Sequence, residues 1–235
     1  MSRRKYLWPL VVFTVLVGAA TFGFSGQSSS TGEIPEDTVW VEDAPRPALG
    51  SDDAPAVMVV FTDYQCPFCL RFTKTTFPSL KKKYIDTGKV RWVALNLPLP
   101  FHKDARKAAQ AAHCAGEQNR FWEMREILFR NPQRLNVDNL PAHAQGLSLD
   151  MAAFNECLQS ERHFAEIDQD AADAKSVSLT GTPSFIIGRT ASDEINGQVV
   201  IGAQPLNVFD AAISKAMAQP PAPKKAPAKA EAGKS

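Results

Sequence analysis

The sequence predicts an α/β protein whose sheet is interrupted by a helical insertion. Two apolar, β-branched runs at residues 56–62 and 90–97 flank a helical segment, the layout of a strand–helix–strand unit. From about 101 to 178 the pattern is helical, with no strand signal. Strand-like runs return only at 184–187 and 199–201, and a last amphipathic helix covers 207–217. No internal repeat is visible.

Each element has a local reason. Residues 25–44 begin Ser-, Gly- and Thr-rich and read as a flexible linker, with Trp40-Val41 as a short edge strand. Residues 56–62 form a continuous apolar run, which requires cover on both faces. A helix is expected from Cys66 to Tyr84, ended by Asp86-Thr87-Gly88. The second strand stops at Pro98-Leu99-Pro100. Within the insertion, 104–116 is Ala-rich and 121–129 is amphipathic. Leu149-Asp150 opens a helix through 158, and another covers 163–177. Phe121 and Trp122 share one helix face and read as core rather than as ligand contacts.

The chemistry concentrates in Cys66-Pro67-Phe68-Cys69, placed where the first strand feeds a helix. Residues i and i+3 share a helix face, so the two sulfurs can meet. A helix N-terminus carries unpaired N–H groups and partial positive charge, which favour a thiolate. Cys66 is therefore the expected nucleophile and Cys69 the resolving thiol. Pro67 sits at the first helical position, where a missing N–H costs nothing. The competing reading is half of a zinc site, which needs a second ligand pair. No other C-x-x-C exists, and His102, His113, His143 and His163 show no metal spacing, so no metal or cofactor is expected.

The ends of the chain point outside the cytoplasm. Arg3, Arg4 and Lys5 precede a charge-free stretch over 6–24, a secretory signal or a signal anchor. Its length approaches the roughly 20 residues that span a bilayer, which favours an uncleaved anchor with positive-inside topology. Gly18-Ala19-Ala20 would permit cleavage. Ser2-Arg3-Arg4-Lys5-Tyr6-Leu7 is similar to a twin-arginine signal, although a plain basic n-region explains it more simply. Residues 219–235 form a Pro-, Ala- and Lys-rich tail that cannot bury enough apolar surface to order itself. The formal net charge is +1, and both termini are basic, so the middle is net acidic and offers no face for nucleic acid.

Phe61-Thr62-Asp63-Tyr64-Gln65-Cys66-Pro67-Phe68-Cys69 resembles the active-site segment of DsbA-like periplasmic thiol–disulfide oxidoreductases. Residues 108–115, Phe121-Trp122, 154–158 and Gly181-Thr182-Pro183-Ser184-Phe185 are also similar to recurring segments of that family. The resemblance covers about 45–218 and implies a thioredoxin fold with a helical insertion at about 101–178. It implies that Cys66 and Cys69 cycle between dithiol and disulfide, and that Pro183 is cis and faces the sulfurs. Thr182, Pro183, Pro67 and Phe68 would then contact substrate, with Thr182 offering backbone groups to an extended strand. One departure stands out. Such proteins often carry a buried carboxylate six residues before the first cysteine, where this chain has Val60. Asp63 is a possible substitute, but three residues further along a strand it should face the other way.

With Cys66 and Cys69 paired, Cys114 and Cys157 remain, and an oxidising compartment favours a structural disulfide between them. Two buried thiols, or a shuttle pair, are the alternatives. Phe68 cannot donate a hydrogen bond to the thiolate, so a weaker oxidant than the strongest members of the family is expected. Oxidase is the favoured direction, with reductase and isomerase as alternatives. The isomerase is disfavoured because residues 25–50 are too few for an extra domain. A thioredoxin-like module that binds clients without turnover is the reading from another class. The expected partners are exported proteins bearing cysteines and an inner-membrane redox partner, acting on a monomer.

Overall fold

The computed structural model describes residues 37–40, 46–191 and 194–219. The expected membrane segment, the linker before residue 37 and the tail beyond 219 lie outside the described residues. Among the described residues no helix is long and apolar enough to cross a membrane.

The strands are β1 (Asp37–Trp40), β2 (Ala48–Leu49), β3 (Ala56–Thr62), β4 (Val90–Asn96), β5 (Ser184–Ala191) and β6 (Glu194–Ile201). They form one sheet in the order β1-β6-β5-β3-β4-β2. β3 runs parallel to β4, from Ala56 opposite Val90 to Thr62 opposite Asn96, and antiparallel to β5. A parallel pair needs a crossover. Here α1 (Pro67–Thr75), α2 (Phe77–Leu80) and a π-helical turn, Lys81–Ile85, supply it. The insertion between β4 and β5 comprises α3 (Ala105–Gly116), α4 (Phe121–Arg130), α5 (Leu140–Gly146), α6 (Met151–Ser160) and α7 (Phe164–Ser176). α8 (Leu206–Ala218) follows β6.

Every residue of β3 is buried, as its unbroken apolar run requires. Strand side chains alternate between faces. Met58 and Val60 join Phe72, Trp92, Phe185 and Phe209 in one core. Val57, Val59 and Phe61 join Val93, Leu95, Ile186 and Ala174 in the other. Phe72, on α1, anchors the larger core: its ring lies 4.7 Å from that of Phe185 and 5.4 Å from that of Phe209. The active-site helix is thereby fixed to the sheet. Asp170, on α7, takes hydrogen bonds of 2.9 Å from both the backbone N–H and the side-chain amide of Asn96, and it pairs with Arg46. This buried group ties the insertion to the end of β4.

The helix expected over 66–84 is broken. Pro78 lacks a donor, and its ring conflicts with the preceding turn. α1 therefore stops at Thr75, and α2 starts afresh at Phe77, next to Pro78. The Thr76 hydroxyl at the break donates to the Gln204 carbonyl at 2.9 Å. β2 and α5 were not expected. β2 spans two residues, and α5 contains Pro141, which masks its helical pattern. The β5–β6 hairpin extends well past 184–187 and 199–201, because antiparallel pairing continues where the apolar alternation has ended.

Candidate active site

Cys66 is the N-cap of α1, with extended backbone (φ −73°, ψ 121°), and Pro67 opens the helix. Cys69 follows one turn in, and both cysteines are free, buried thiols. The Thr182–Pro183 peptide is cis, and the Thr182 carbonyl oxygen lies 3.3 Å from Cys66 Sγ. The Pro183 carbonyl accepts from Gly202 N–H at 2.8 Å, which fastens this loop to the end of β6. The structure thus brings Cys66, Cys69, Thr182 and Pro183 together from opposite ends of the sequence.

The two thiols are set to different tasks. Cys66 is pulled down to about 5, first by the hydrogen bond that Cys69 gives its thiolate. Burial opposes this, while the Thr182 side chain and the backbone N–H groups of Cys69 and Phe68 favour the anion. Cys69 is held well above the usual thiol range, first by burial and then by its proton-sharing with Cys66. Near neutral pH the pair is therefore a Cys66 thiolate beside a Cys69 thiol, and a thiolate at a helix N-terminus is nucleophilic. In the reduced protein, carboxymethylation of Cys66 should follow a titration with a midpoint of about 5. Because this folded-state pKa lies below the unfolded one, the thiolate's contribution to stability is complete above about 9 and is lost as pH falls through about 5. Alkylation rates and the melting temperature of the reduced protein, both measured against pH, check this. A midpoint near the ordinary thiol value would contradict it.

Val60 lies in the apolar core that also holds Cys66 and Cys69, so no carboxylate sits at that point. β3 ends at Thr62, and Asp63 is a polar residue just past it whose carboxylate bonds the segment around Leu99, which packs on the core of Val57, Val59 and Phe61, opposite the core of Val60 and the two cysteines. Asp63 is buried and accepts from Gln65 N–H at 2.7 Å, Leu99 N–H at 2.7 Å and His102 Nδ1 at 2.9 Å. Its backbone carbonyl takes Cys66 N–H at 3.2 Å. Asp63 thus pins the segment before Cys66 to the loop after β4. Gln65 and Asp104 reinforce this with reciprocal bonds of 2.6 and 3.2 Å.

Three exposed apolar side chains belong to the segments that carry or bond the site residues: Phe68 (51%), Phe101 (75%) and Ile201 (61%). Phe101 precedes His102, which is bonded to Asp63, and Ile201 pairs with Ser184, next to Pro183. Sequence reading found Phe68 but missed the other two. Pro98-Leu99-Pro100 registers as a strand breaker, and Ile201 as a strand end; their links to Asp63 and Ser184 are tertiary.

Cys114 and Cys157 form a disulfide (S–S 1.99 Å) that joins α3 to α6. Phe121 is buried, and Trp122 packs partly buried against the core. Both line a groove of about 630 Å³ with Arg46, His113, Glu117 and Glu166, whose lining includes neither Cys66 nor Cys69. His113, His163 and Glu166 bring potential metal-ligating atoms within 4.8 Å of one another. The Asn96 amide nitrogen lies 3.0 Å from His113 Nε2, so that nitrogen accepts and Nδ1 carries the hydrogen, facing Glu166. Burial keeps this ring neutral, at about 4. His113 therefore presents a donor to the cluster, not a lone pair for a cation.

A family model described as thioredoxin matches residues 42–213. Disulfide bond formation protein D of Bacillus subtilis is 29% identical over 154 residues, 60% of this chain and 67% of that one. The Na(+)/H(+) antiporter NhaA 3 of Salinispora tropica is 33% identical over 170 residues, 72% of this chain. The chain spans about a quarter of that relative's length (24%). Among solved structures, Wolbachia pipientis alpha-DsbA1 superimposes with a TM-score of 0.65 at 27% identity, covering 75% of this chain and 93% of that one. Oxidised BdbD from Bacillus subtilis gives 0.62 at 26% identity, covering 77% and 98%.

Proposed function

The chain belongs to the thioredoxin family as a DsbA-like member, and from that premise we propose that it is a thiol–disulfide oxidoreductase that oxidises exported proteins through Cys66 and Cys69. The observation that carries the proposal is the asymmetric thiol pair beside the Thr182 carbonyl. In the oxidised enzyme a client thiolate attacks Cys66 Sγ. The Cys66–Cys69 bond breaks, and Cys69 leaves with the electron pair and takes up a proton. A second client thiolate then attacks the client sulfur of the mixed disulfide. The client disulfide forms, and Cys66 departs as a thiolate.

Stabilising that thiolate stabilises the reduced enzyme, which favours the oxidising direction. The Phe68 side chain adds no hydrogen bond to it, so the enzyme would be a moderate oxidant. Phe68, Phe101 and Ile201 would receive the apolar part of an extended client, with Thr182, Pro183 and Pro67 lining the approach. The working unit would be residues 45–218, acting as a monomer in the periplasm. Residues 1–24 would tether it to the inner membrane, where a redox partner re-oxidises the pair, and 219–235 would be a solvated tail. A peptide bearing two thiols tests the activity: the oxidised protein should close its disulfide well above the buffer rate. A rate equal to buffer, with peptide still bound, would leave a client-binding module instead.

A further inference from the structure

The active-site helix turns a positive charge back toward its own N-terminus. Arg71 is exposed on α1, one turn after Phe68. Helical side chains lean toward the N-terminal end of their helix. Here that lean carries the Arg71 guanidinium over the Phe68 ring, its carbon 5.1 Å from the ring centre and within cation–π range. Phe68 lies between the two cysteines and is itself half exposed. No carboxylate pairs with Arg71 among the described residues, and the first turn of α1 has no acidic residue.

The other segments that build the site leave this charge unopposed. Residues 178–186 and 199–206 carry no charged side chain. The Asp63 carboxylate is buried and taken by three donors. Asp104 is half-buried and receives the Gln65 amide at 3.2 Å. Its neighbour Lys103 is exposed. The exposed charges on these segments are therefore Arg71 and Lys103, both positive. An aromatic ring holds a guanidinium by its face and leaves the N–H edge free. That edge matches a carboxylate through two parallel hydrogen bonds.

We propose that Arg71 is a specificity-determining residue, which makes the enzyme prefer clients that carry Asp or Glu beside the reacting cysteine. The inference rests on the exchange reaction proposed above and names its substrate class. A carboxylate beside a client thiol disfavours the thiolate that must attack Cys66 Sγ. Bound to Arg71, that carboxylate is neutralised at the moment of attack, and the client is held over the helix N-terminus. A lysine in the same place meets like charge instead. Phe68 serves both partners: one face of its ring holds the guanidinium, and the rest meets the apolar part of the client.

The test uses the oxidised full chain and three peptides with two cysteines each, which differ only in whether Glu, Gln or Lys flanks the cysteines. Oxidation is followed as loss of peptide thiols and read as kcat/KM. The ratio of the Glu to the Gln peptide is compared between the unmodified chain and Arg71→Gln, so that intrinsic differences between the peptides cancel. At low salt Arg71→Gln should lower this ratio about fivefold, the upper end for an exposed ion pair. High salt should remove most of that difference. Arg71→Glu should make the Lys peptide the best of the three. An unchanged ratio in folded Arg71→Gln, or an unchanged ranking in folded Arg71→Glu, would overturn the role of Arg71. Failure of the unmodified chain to oxidise any of the three peptides above the buffer rate would instead defeat the exchange reading itself.

Discussion

Cys66→Ser brings disulfide exchange to background, while Cys69→Ser keeps the first attack and accumulates mixed disulfides. The difference follows from the two microenvironments. Cys66 caps α1 and is held as a thiolate by Cys69 and by donors from Thr182, Cys69 and Phe68. Serine in its place has a far higher pKa and no sulfur to accept a client thiolate. Cys69 is enclosed, and its role begins only after a client is attached to Cys66. Without it, nothing intramolecular releases the client, and the adduct persists. Non-reducing gels of cell-envelope protein should show high-mass adducts with Cys69→Ser and none with Cys66→Ser. Equal trapping by both variants would reverse or dissolve the assignment.

Opening the Cys114–Cys157 disulfide should be the largest single loss of stability. The bond closes a sequence separation of 43 between α3 and α6. The chain-entropy model puts that constraint at about 4 kcal/mol, as an upper-side value. For a domain of this size it corresponds to a fall in melting temperature on the order of 10 °C. Cys114→Ala/Cys157→Ala should therefore melt much earlier, yet retain exchange through Cys66 and Cys69 at temperatures where it is folded. Calorimetry beside a peptide-oxidation assay checks both halves. An unchanged melting temperature, or free alkylation of Cys114 and Cys157 in the unmodified denatured protein, would contradict the structural role.

Much of this site is legible in the sequence because its parts are local. Strand, Cys-x-x-Cys and helix occupy one short run, and helix geometry alone sets the two sulfurs one turn apart. β3 announces itself because a strand buried on both faces needs an unbroken apolar run. The helix break at Pro78 was legible but lost among the apolar and basic residues around it, which continue a helical pattern. Alternation places Asp63 on the face opposite Val60, but its three partners, Gln65, Leu99 and His102, come from the fold. Arg125 is beyond sequence reading. In Phe121–Arg130 it looks like one more charge on the polar face, and only the packing of α4 against Tyr64, Phe77 and the active-site helix turns it inward. Phe101 and Ile201 are hidden for the same reason, since the bond of His102 to Asp63 and the pairing of Ile201 with Ser184 are made only in the fold.

The central claim, that this chain exchanges disulfides through Cys66 and Cys69, is tested most directly by equilibrium with glutathione. The protein is held at graded ratios of reduced to oxidised glutathione, quenched in acid, alkylated and mapped by mass spectrometry. The account predicts that Cys66 and Cys69 interconvert together between dithiol and disulfide, that any glutathione adduct sits on Cys66, and that Cys114–Cys157 stays closed throughout. A Cys66–Cys69 pair that stays dithiol at every ratio, or adducts found equally on Cys69, would contradict it.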